Sequence, residues 1–273
     1  MNKREFTSPQ SLIYAIYKNR KLIYSLTKRD VLGRYQGSIF GILWSFFTPV
    51  FMLGVYTFVF SLIFNARWSS ESTSKTEFAL VLFAGLIVFN FFSECANKAP
   101  TLILSNSNYV KKVIFPLEIL PVNSALSALF HAMISLSVWF SFFLIQGGEV
   151  QVTWFLTPIV LFPVFILSMG IGWLLSSLGV YLRDVGQFVS ILVTTLMFLS
   201  PIFYPITAIP VEYRYLLHIN PLATAIEQVR AVLYFGITPN LDEYIIYLVA
   251  CLVFAWLCFV VFQKTKKGFS DVL

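Results

Sequence analysis

The sequence predicts an all-α integral membrane protein: six transmembrane helices, an N-terminal amphipathic interface helix, and re-entrant outer-side helices between spans 5 and 6. Three observations predict it. Of 273 residues, 58% are hydrophobic and 12% charged, against about 25% charged in soluble domains, so lipid must be the solvent for much of the surface. The apolar residues gather in runs near 37–64, 78–95, 113–145, 153–182, 187–204 and 241–262, where a spanning helix needs about 20 mostly apolar residues. Six crossings leave both termini on one side, and of the 19 Lys and Arg only Arg67, Lys75, Arg214 and Arg230 then fall on the other. Basic residues collect in cytosolic loops, so both ends are expected to be cytosolic in a cytoplasmic (inner) membrane.

The chain reads as a single domain over 1–273, beginning with a cytosolic amphipathic segment at 1–36. On a helical wheel Leu12, Ile16, Leu22, Ile23 and Leu26 share one side, and Lys18, Lys21, Ser25, Lys28 and Arg29 the other. Such a helix lies flat on a membrane surface. Lys28, Arg29 and Arg34 stand against the mouth of the first run, and two readings are open. They pair with acidic lipid heads, or they line the way in for an anionic lipid-linked substrate whose pyrophosphate guanidinium groups bind by paired hydrogen bonds. Gly33, Gly37 and Gly41 recur every four residues, the spacing of a close-packing ridge or of a bend between surface helix and span.

Spans 1 to 5 occupy 37–204, with Pro116, Pro121, Pro158 and Pro163 kinking or delaying the third and fourth. Glu94 and Lys98 are placed to pair four apart on one helix face. Glu118 is expected either to snorkel to the surface or to pair with a basic neighbour, and His131 to be a neutral, hydrogen-bonded histidine. Residues 205–240 hold Pro205, Pro210 and Pro221 among Glu212, Arg214, His218, Glu227 and Arg230. A full crossing there would bury several charges in lipid, at about 2.5–3.5 kcal/mol each, and would expel the basic tail. Two short helices that dip in and return are expected instead, rimming a pathway. Arg214 with Glu227 and Arg230, three apart, form an expected outer gate. Span 6 at 241–262 starts at Asn240 as cap with Glu243 three residues on, and 263–273 is a cytosolic tail.

Several functions are disfavoured. A net charge of +6 is spread between apolar runs rather than clustered as nucleic-acid binding requires. Cys95, Cys251 and Cys258 show no metal spacing, and no metal site is expected. No Asp-x-Asp occurs, and neither His131 nor His218 has an acidic residue four places on, which leaves a glycosyltransferase or acyltransferase without a catalytic pair. No Gly-Lys pair exists to build a P-loop. A secondary transporter would break helices in both halves.

The stretches "RDVLGRYQGSIFGILWSFFTPVFMLGVYTFVFSLIF", "ILSNSNYVKKVIFPLEILP" and "LSPIFYP" resemble the signatures of type-2 ABC export permeases that move polysaccharides. The likeness runs in order along nearly the whole chain and is nearest to O-antigen export permeases. Capsule and teichoic-acid exporters share the motifs, and drug or small-lipid exporters are a more distant alternative.

The resemblance implies a transport subunit, not an enzyme. It implies a permease homodimer joined to two copies of a separate ABC ATPase, which binds ATP and magnesium; no cofactor is expected in this chain. The cargo it implies is a polysaccharide on undecaprenyl pyrophosphate. Spans 1 and 5 would face the dimer channel and offer Trp44, Phe47, Phe51, Tyr56, Phe198, Phe203 and Tyr204 as surfaces for a sliding sugar chain. The ATPase would be met by two loops, carrying Ser105, Asn106, Ser107, Asn108, Lys111 and Lys112 on one and Arg183 and Asp184 on the other.

Overall fold

The computed structural model describes residues 8–64, 68, 76–110, 115–215, 217 and 220–273, and all regular structure among them is helical. Lys111, Lys112, His218, Arg67 and Lys75 lie outside the described residues.

The first helix, α1 (Pro9–Lys18), is started by Ser8, whose side chain accepts from the Ser11 amide, and by a proline at its first position. The interface segment is two helices rather than one. Asn19 ends α1 because its side-chain amide donates to the Ala15 carbonyl at 2.8 Å, competing with the helical ladder. After it comes α2 (Arg20–Gly33). The expected apolar side does face inward: Ile23 and Leu26 are buried, and Leu12, Ile16 and Leu22 pack on the core.

The glycines that follow make a bend. Gly37 and Gly41 have φ of +84° and +51°, a left-handed backbone natural to glycine. Among the described residues a Cβ on Gly33, Gly37 or Gly41 would meet nothing, so within this chain these residues form no packing ridge.

Beyond the bend, α3 (Trp44–Tyr56) runs on into a π-helical stretch at Thr57–Ile63. Then come α4 (Glu77–Leu102), α5 (Ser107–Val110), α6 (Ile119–Ile145), α7 (Thr157–Tyr181), α8 (Val185–Leu199), α9 (Ala223–Arg230), α10 (Leu241–Thr265) and α11 (Phe269–Val272). Among the described residues five stretches are long and apolar enough to cross a membrane: Gly41–Ser61, Glu77–Leu102, Ile119–Ile145, Val152–Tyr181 and Leu241–Val272. The 187–204 run yields a shorter helix, since α8 has 15 residues. That is about 22 Å at 1.5 Å per residue, less than a bilayer core of about 30 Å. The helix stops because Ser200 precedes Pro201 and is extended, with ψ of 148°, the conformation a following proline imposes.

The helix at the centre is α4. In its most apolar window 83% of residues are buried, against 17% in the α3 span and 28% in the span that includes α10. It packs on α6, α7, α8 and α9, while α10 packs chiefly on α7. Trp139 and Trp173 are wholly buried and donate to the carbonyls of Leu80 at 2.9 Å and Glu118 at 3.0 Å, tying α6 to α4 and α7 to the start of α6.

Helix α2 and the residues after α10 lie at one end of the bundle, called here the basic end. Asn123 near the start of α6 bonds Asp30 on α2 at 2.7 Å. Lys266 after α10 pairs with Glu118 at 2.6 Å, the second of the two alternatives open for that carboxylate. Tyr181 donates to the Thr265 carbonyl at 2.9 Å. At the far end Gln151 donates to the Tyr234 carbonyl at 3.1 Å, and Tyr244 to the Ile159 carbonyl at 3.1 Å.

The described part of the stretch between α8 and α10 lies at the far end, where Tyr234 meets Gln151 and Arg230 meets Val81. It makes 3₁₀ turns at Ile206–Ala208 and Val211–Tyr213, then α9, then a π-helical turn at Ala231–Phe235. The helix α9 is seated on α4 and α7. Asn240 caps α10, accepting from the Asp242 amide at 3.0 Å. Among the described residues Glu243 makes no return bond to Asn240; it faces a cavity, described below.

Candidate functional site

A cleft of about 800 Å³ opens between α2, α4 and α6 at the basic end, lined by Arg29, Asp30, Arg34, Asn90, Ser93, Glu94, Asn97 and Lys98 among others. Its charges pair across the cleft. Arg34 just past α2 donates to Glu94 on α4 at 2.5 Å, and Lys98 on α4 meets Asp30 on α2 at 3.5 Å. The Glu94–Lys98 pair expected within α4 is therefore not formed: each finds its opposite charge on α2 or just beyond it, a partner that sequence spacing cannot reveal. Asp30 also accepts from Asn123 at 2.7 Å and stands 3.9 Å from Arg29. Asn123 in turn accepts from Thr27 at 2.8 Å. Arg29 donates to the Tyr109 hydroxyl at 2.9 Å. That bond raises the guanidinium above its ordinary value, partial burial opposing it.

Of the three cations expected at this mouth, the structure brings Arg29 and Arg34 into the cleft, while Lys28 is exposed outside its lining. The side chains of Arg29 and Arg34 are 57% and 52% exposed, so each keeps donors for an incoming anion. Arg29, Arg34 and Lys98 face two carboxylates, Asp30 and Glu94, and the surplus is cationic. Chemically the cleft can exchange its internal carboxylates for the oxygens of a phosphate or pyrophosphate, because bidentate guanidinium bonds suit either partner. Sequence reasoning missed Asn123. A lone Asn within the apolar 113–145 run is its only signal, since a buried amide needs partners.

The aromatic residues separate into two groups. Trp44 and Phe47 sit edge to face 6.2 Å apart, and each meets Phe40, at 5.6 Å and 5.7 Å. Phe198 and Phe203 stack at 6.0 Å, and Tyr204 donates to the Phe198 carbonyl at 3.1 Å. Phe60, after α3, reaches Phe203 at 6.3 Å and links α3's continuation to the residues beyond α8. Phe51 and Phe198 are exposed, whereas Tyr56 is half-buried against the core. Helix α3 thus carries an uncovered aromatic face, and so does the end of α8.

At the basic end, Ser105 and Asn106 donate to the Thr101 and Leu102 carbonyls at 2.8 Å and 2.9 Å. They close α4 and turn the chain into the one-turn helix α5, which Ser107 and Asn108 begin. Tyr109 of α5 stacks on Phe115 at 4.2 Å. Arg183 and Asp184, exposed, form the turn between α7 and α8. The two loops share a seam: a Cβ on Gly179 would stand 2.0 Å from the Pro100 carbonyl oxygen, and one on Gly186 3.9 Å from the Pro100 ring.

At the far end Glu227 and Arg230 pair at 2.9 Å, as their spacing suggested. Arg230 is 1% exposed and does more than pair. Its guanidinium donates to the carbonyls of Val81 at 3.0 Å and Ile202 at 2.7 Å, and to that of Pro201, and lies 4.4 Å over the Trp68 ring. A buried charge is tolerated only when its donors are used, and here four oxygens take them. Gly85 makes room for this: a Cβ there would come within 2.9 Å of Arg230. Arg214 is separate, donating to the Ile209 carbonyl at 3.0 Å.

A multi-pass helical membrane protein with a charged cleft at one end, and aromatic faces left open on its flank, has the make-up of a transport subunit. The chain belongs to the ABC-2 type transporter family, whose profile matches residues 21–234. It is similar to the O-antigen export system permease protein RfbA of Klebsiella pneumoniae, 25% identical over 253 residues, 92% of this chain and 95% of the relative. The RfbA of Myxococcus xanthus is 25% identical over 267 residues, 95% of this chain and 98% of the relative. The polysialic acid transport protein KpsM of Escherichia coli is 26% identical over 213 residues, 75% of this chain and 78% of the relative.

Proposed function

We propose that this chain is the membrane subunit of an ATP-driven exporter that moves O-antigen polysaccharide, carried on undecaprenyl pyrophosphate, across the cytoplasmic membrane. The observation that carries the reading is the cleft at the basic end, where Arg29 and Arg34 offer half-exposed guanidinium groups between a surface helix and a membrane span. Similarity to O-antigen export permeases along nearly the whole chain supports the choice of cargo. In this reading the basic end is cytosolic with both termini there, and the pyrophosphate displaces Glu94 from Arg34 as it docks. Two copies of the chain cover each other's α3 and α8 faces, and Trp44, Phe47, Phe51, Phe198, Phe203 and Tyr204 give the sugar chain a weakly binding slide; Tyr56 backs that surface from behind.

Power comes from a separate ATPase present in two copies, which binds ATP and magnesium, since the chain holds no P-loop sequence. That partner seats on the α4–α5 segment with Ser105, Asn106, Ser107, Asn108, Lys111 and Lys112, and on the α7–α8 turn with Arg183 and Asp184. Both loops meet at Pro100, so one push reaches α4 and α7 together. At the far end the stretch over 205–240 dips in and returns as the outer gate, with Arg214, Glu227 and Arg230 holding its shape.

Deletion of the chain in its host tests this: lipid-linked polymer should accumulate on the cytosolic face, and normal surface polysaccharide in the mutant would refute it. Similarity to a polysialic acid transport protein favours a second reading, export of a capsular polymer. The identity of the stranded polymer decides between the two. A reporter fused after Leu273 should be cytosolic.

A further inference from the structure

A second cavity, of about 620 Å³, lies at the far end, among α9, α10 and the 3₁₀ segment before them, lined by Arg214, Glu227, Gln228, Glu243, Ile246 and Tyr247 among others. Its volume is in the range of small-ligand sites, about 300–1,000 Å³. Gln228 marks it as unfinished. That side chain is 6% exposed, yet neither its amide nitrogen nor its amide oxygen has a hydrogen-bond partner among the described residues. A buried amide without partners is costly and rare in native proteins, so an unpaired one lining a cavity points to a ligand that completes it.

The charges on the wall state what kind of ligand. Glu227 is already paired with Arg230. Arg214 spends Nε on the Ile209 carbonyl and Nη2 on the Thr207 carbonyl at 3.4 Å, which leaves Nη1 for another acceptor. Glu243, exposed in the first turn of α10, makes no ion pair among the described residues. One available cation and one available anion on the same wall match a zwitterion. The position adds the second half of the ligand. Ile246, 70% exposed, lies one turn along α10 from Glu243, and Val249 and Val253 continue the same apolar flank. A molecule held here has its polar part at the start of a membrane span and its apolar part along that span. A sugar fits worse: Tyr247 is the only aromatic among the lining residues, it is buried, and its hydroxyl is taken by the Pro221 carbonyl at 2.7 Å.

We propose that this cavity holds the headgroup of a zwitterionic aminophospholipid from the leaflet at the far end. The ammonium rests on Glu243, the phosphate takes the remaining donor of Arg214, and the glycerol esters and amine satisfy Gln228. The acyl chains lie along Ile246, Val249 and Val253. This site is independent of the cargo reading, since it needs only that α10 spans a membrane.

The test is lipid retention by the full chain, purified with its ATPase partner if one is required, and scored by native mass spectrometry. The probes are phosphatidylethanolamine and phosphatidylglycerol added separately. Retention of the ethanolamine lipid should exceed that of the glycerol lipid. Glu243→Gln, at an exposed position that leaves folding intact, should lower ethanolamine-lipid retention about tenfold, the usual worth of one charge-assisted hydrogen bond, with glycerol-lipid retention unchanged. Gln228→Leu should lower it as well while leaving the thermal midpoint equal or raised, because a buried unpaired amide is removed. Equal retention of the two lipids, or unchanged retention in both variants, would overturn the proposal. So would displacement of the lipid by a soluble oligosaccharide, which would mark a sugar site instead.

Discussion

Arg34 and Glu94 hold each other at 2.5 Å across the cleft, 60 residues apart in sequence. The pair is half open to solvent on the arginine side, so its contribution to stability is small, about 0–1 kcal/mol. In the proposed function its consequence is for binding, because Glu94 already holds the guanidinium in position for the cargo's pyrophosphate.

Arg34→Gln should therefore abolish or sharply cut export and strand lipid-linked polymer inside, with the thermal midpoint moved by no more than a few degrees. Glu94→Gln frees Arg34 and should keep export. Surface polysaccharide by gel, read beside a melting curve, separates the two. Wild-type polysaccharide in Arg34→Gln would remove the cleft from the pathway.

Arg230 is a different case. Glutamine at that position cannot serve Val81, Pro201, Ile202 and Glu227 together, and breaking a buried charged network costs about 3–5 kcal/mol. Arg230→Gln should fold poorly and show lost membrane accumulation. Arg230→Lys should fare little better, since an ammonium cannot spread its donors in a planar fan.

Gly179→Ala places a methyl group 2.0 Å from a backbone oxygen at Pro100. Backbone on both sides leaves no side chain to yield, so α4 and α7 must separate, at about 1–3 kcal/mol for overpacking. Melting of the purified variant checks this. ATPase stimulation by cargo should fall further than stability, if the seam carries the push from the motor.

Arg183→Glu reverses an exposed charge that has no ion pair among the described residues. The permease alone should melt as the wild type does. Copurification of the ATPase should drop several-fold, and unchanged copurification would place the motor elsewhere.

Trp139→Phe removes one hydrogen bond to the Leu80 carbonyl and part of a wholly buried ring. A loss of about 1–2 kcal/mol is expected, visible as a lower midpoint with export intact.

How much of this was legible depends on the distance along the chain. Hydropathy alone located α4, α6, α7 and α10, because twenty-odd apolar residues have few alternatives. Glu227 and Arg230 were found as a pair because they are three apart and one helical turn brings them together. Lys98 and Asp30 were not, being 68 residues apart, nor Asp30 and Asn123 at 93, nor Arg230 and Val81 at 149. Local spacing suggested a Glu94–Lys98 pair, and tertiary packing supplied better partners. Asn19 was the reverse error: the wheel read one interface helix, although a side chain that bonds its own backbone was present in the sequence to break it. In α8, Pro201 stood inside the run that was read as continuous, and the helix stops two residues before it.

Helix α4 touches both regions of interest. Lys98 and Glu94 belong to it at the cleft, and Val81 and Gly85 receive Arg230 near its other terminus. From Val81 to Lys98 is about 25 Å of unbroken helix, gripped at each extremity by charged side chains and packed by neighbours along the way. One continuous helix therefore carries both the cleft carboxylate Glu94 and the carbonyl that Arg230 grips. A displacement of its cleft-side tip would be felt at the Arg230 clamp, the far arm of the same lever.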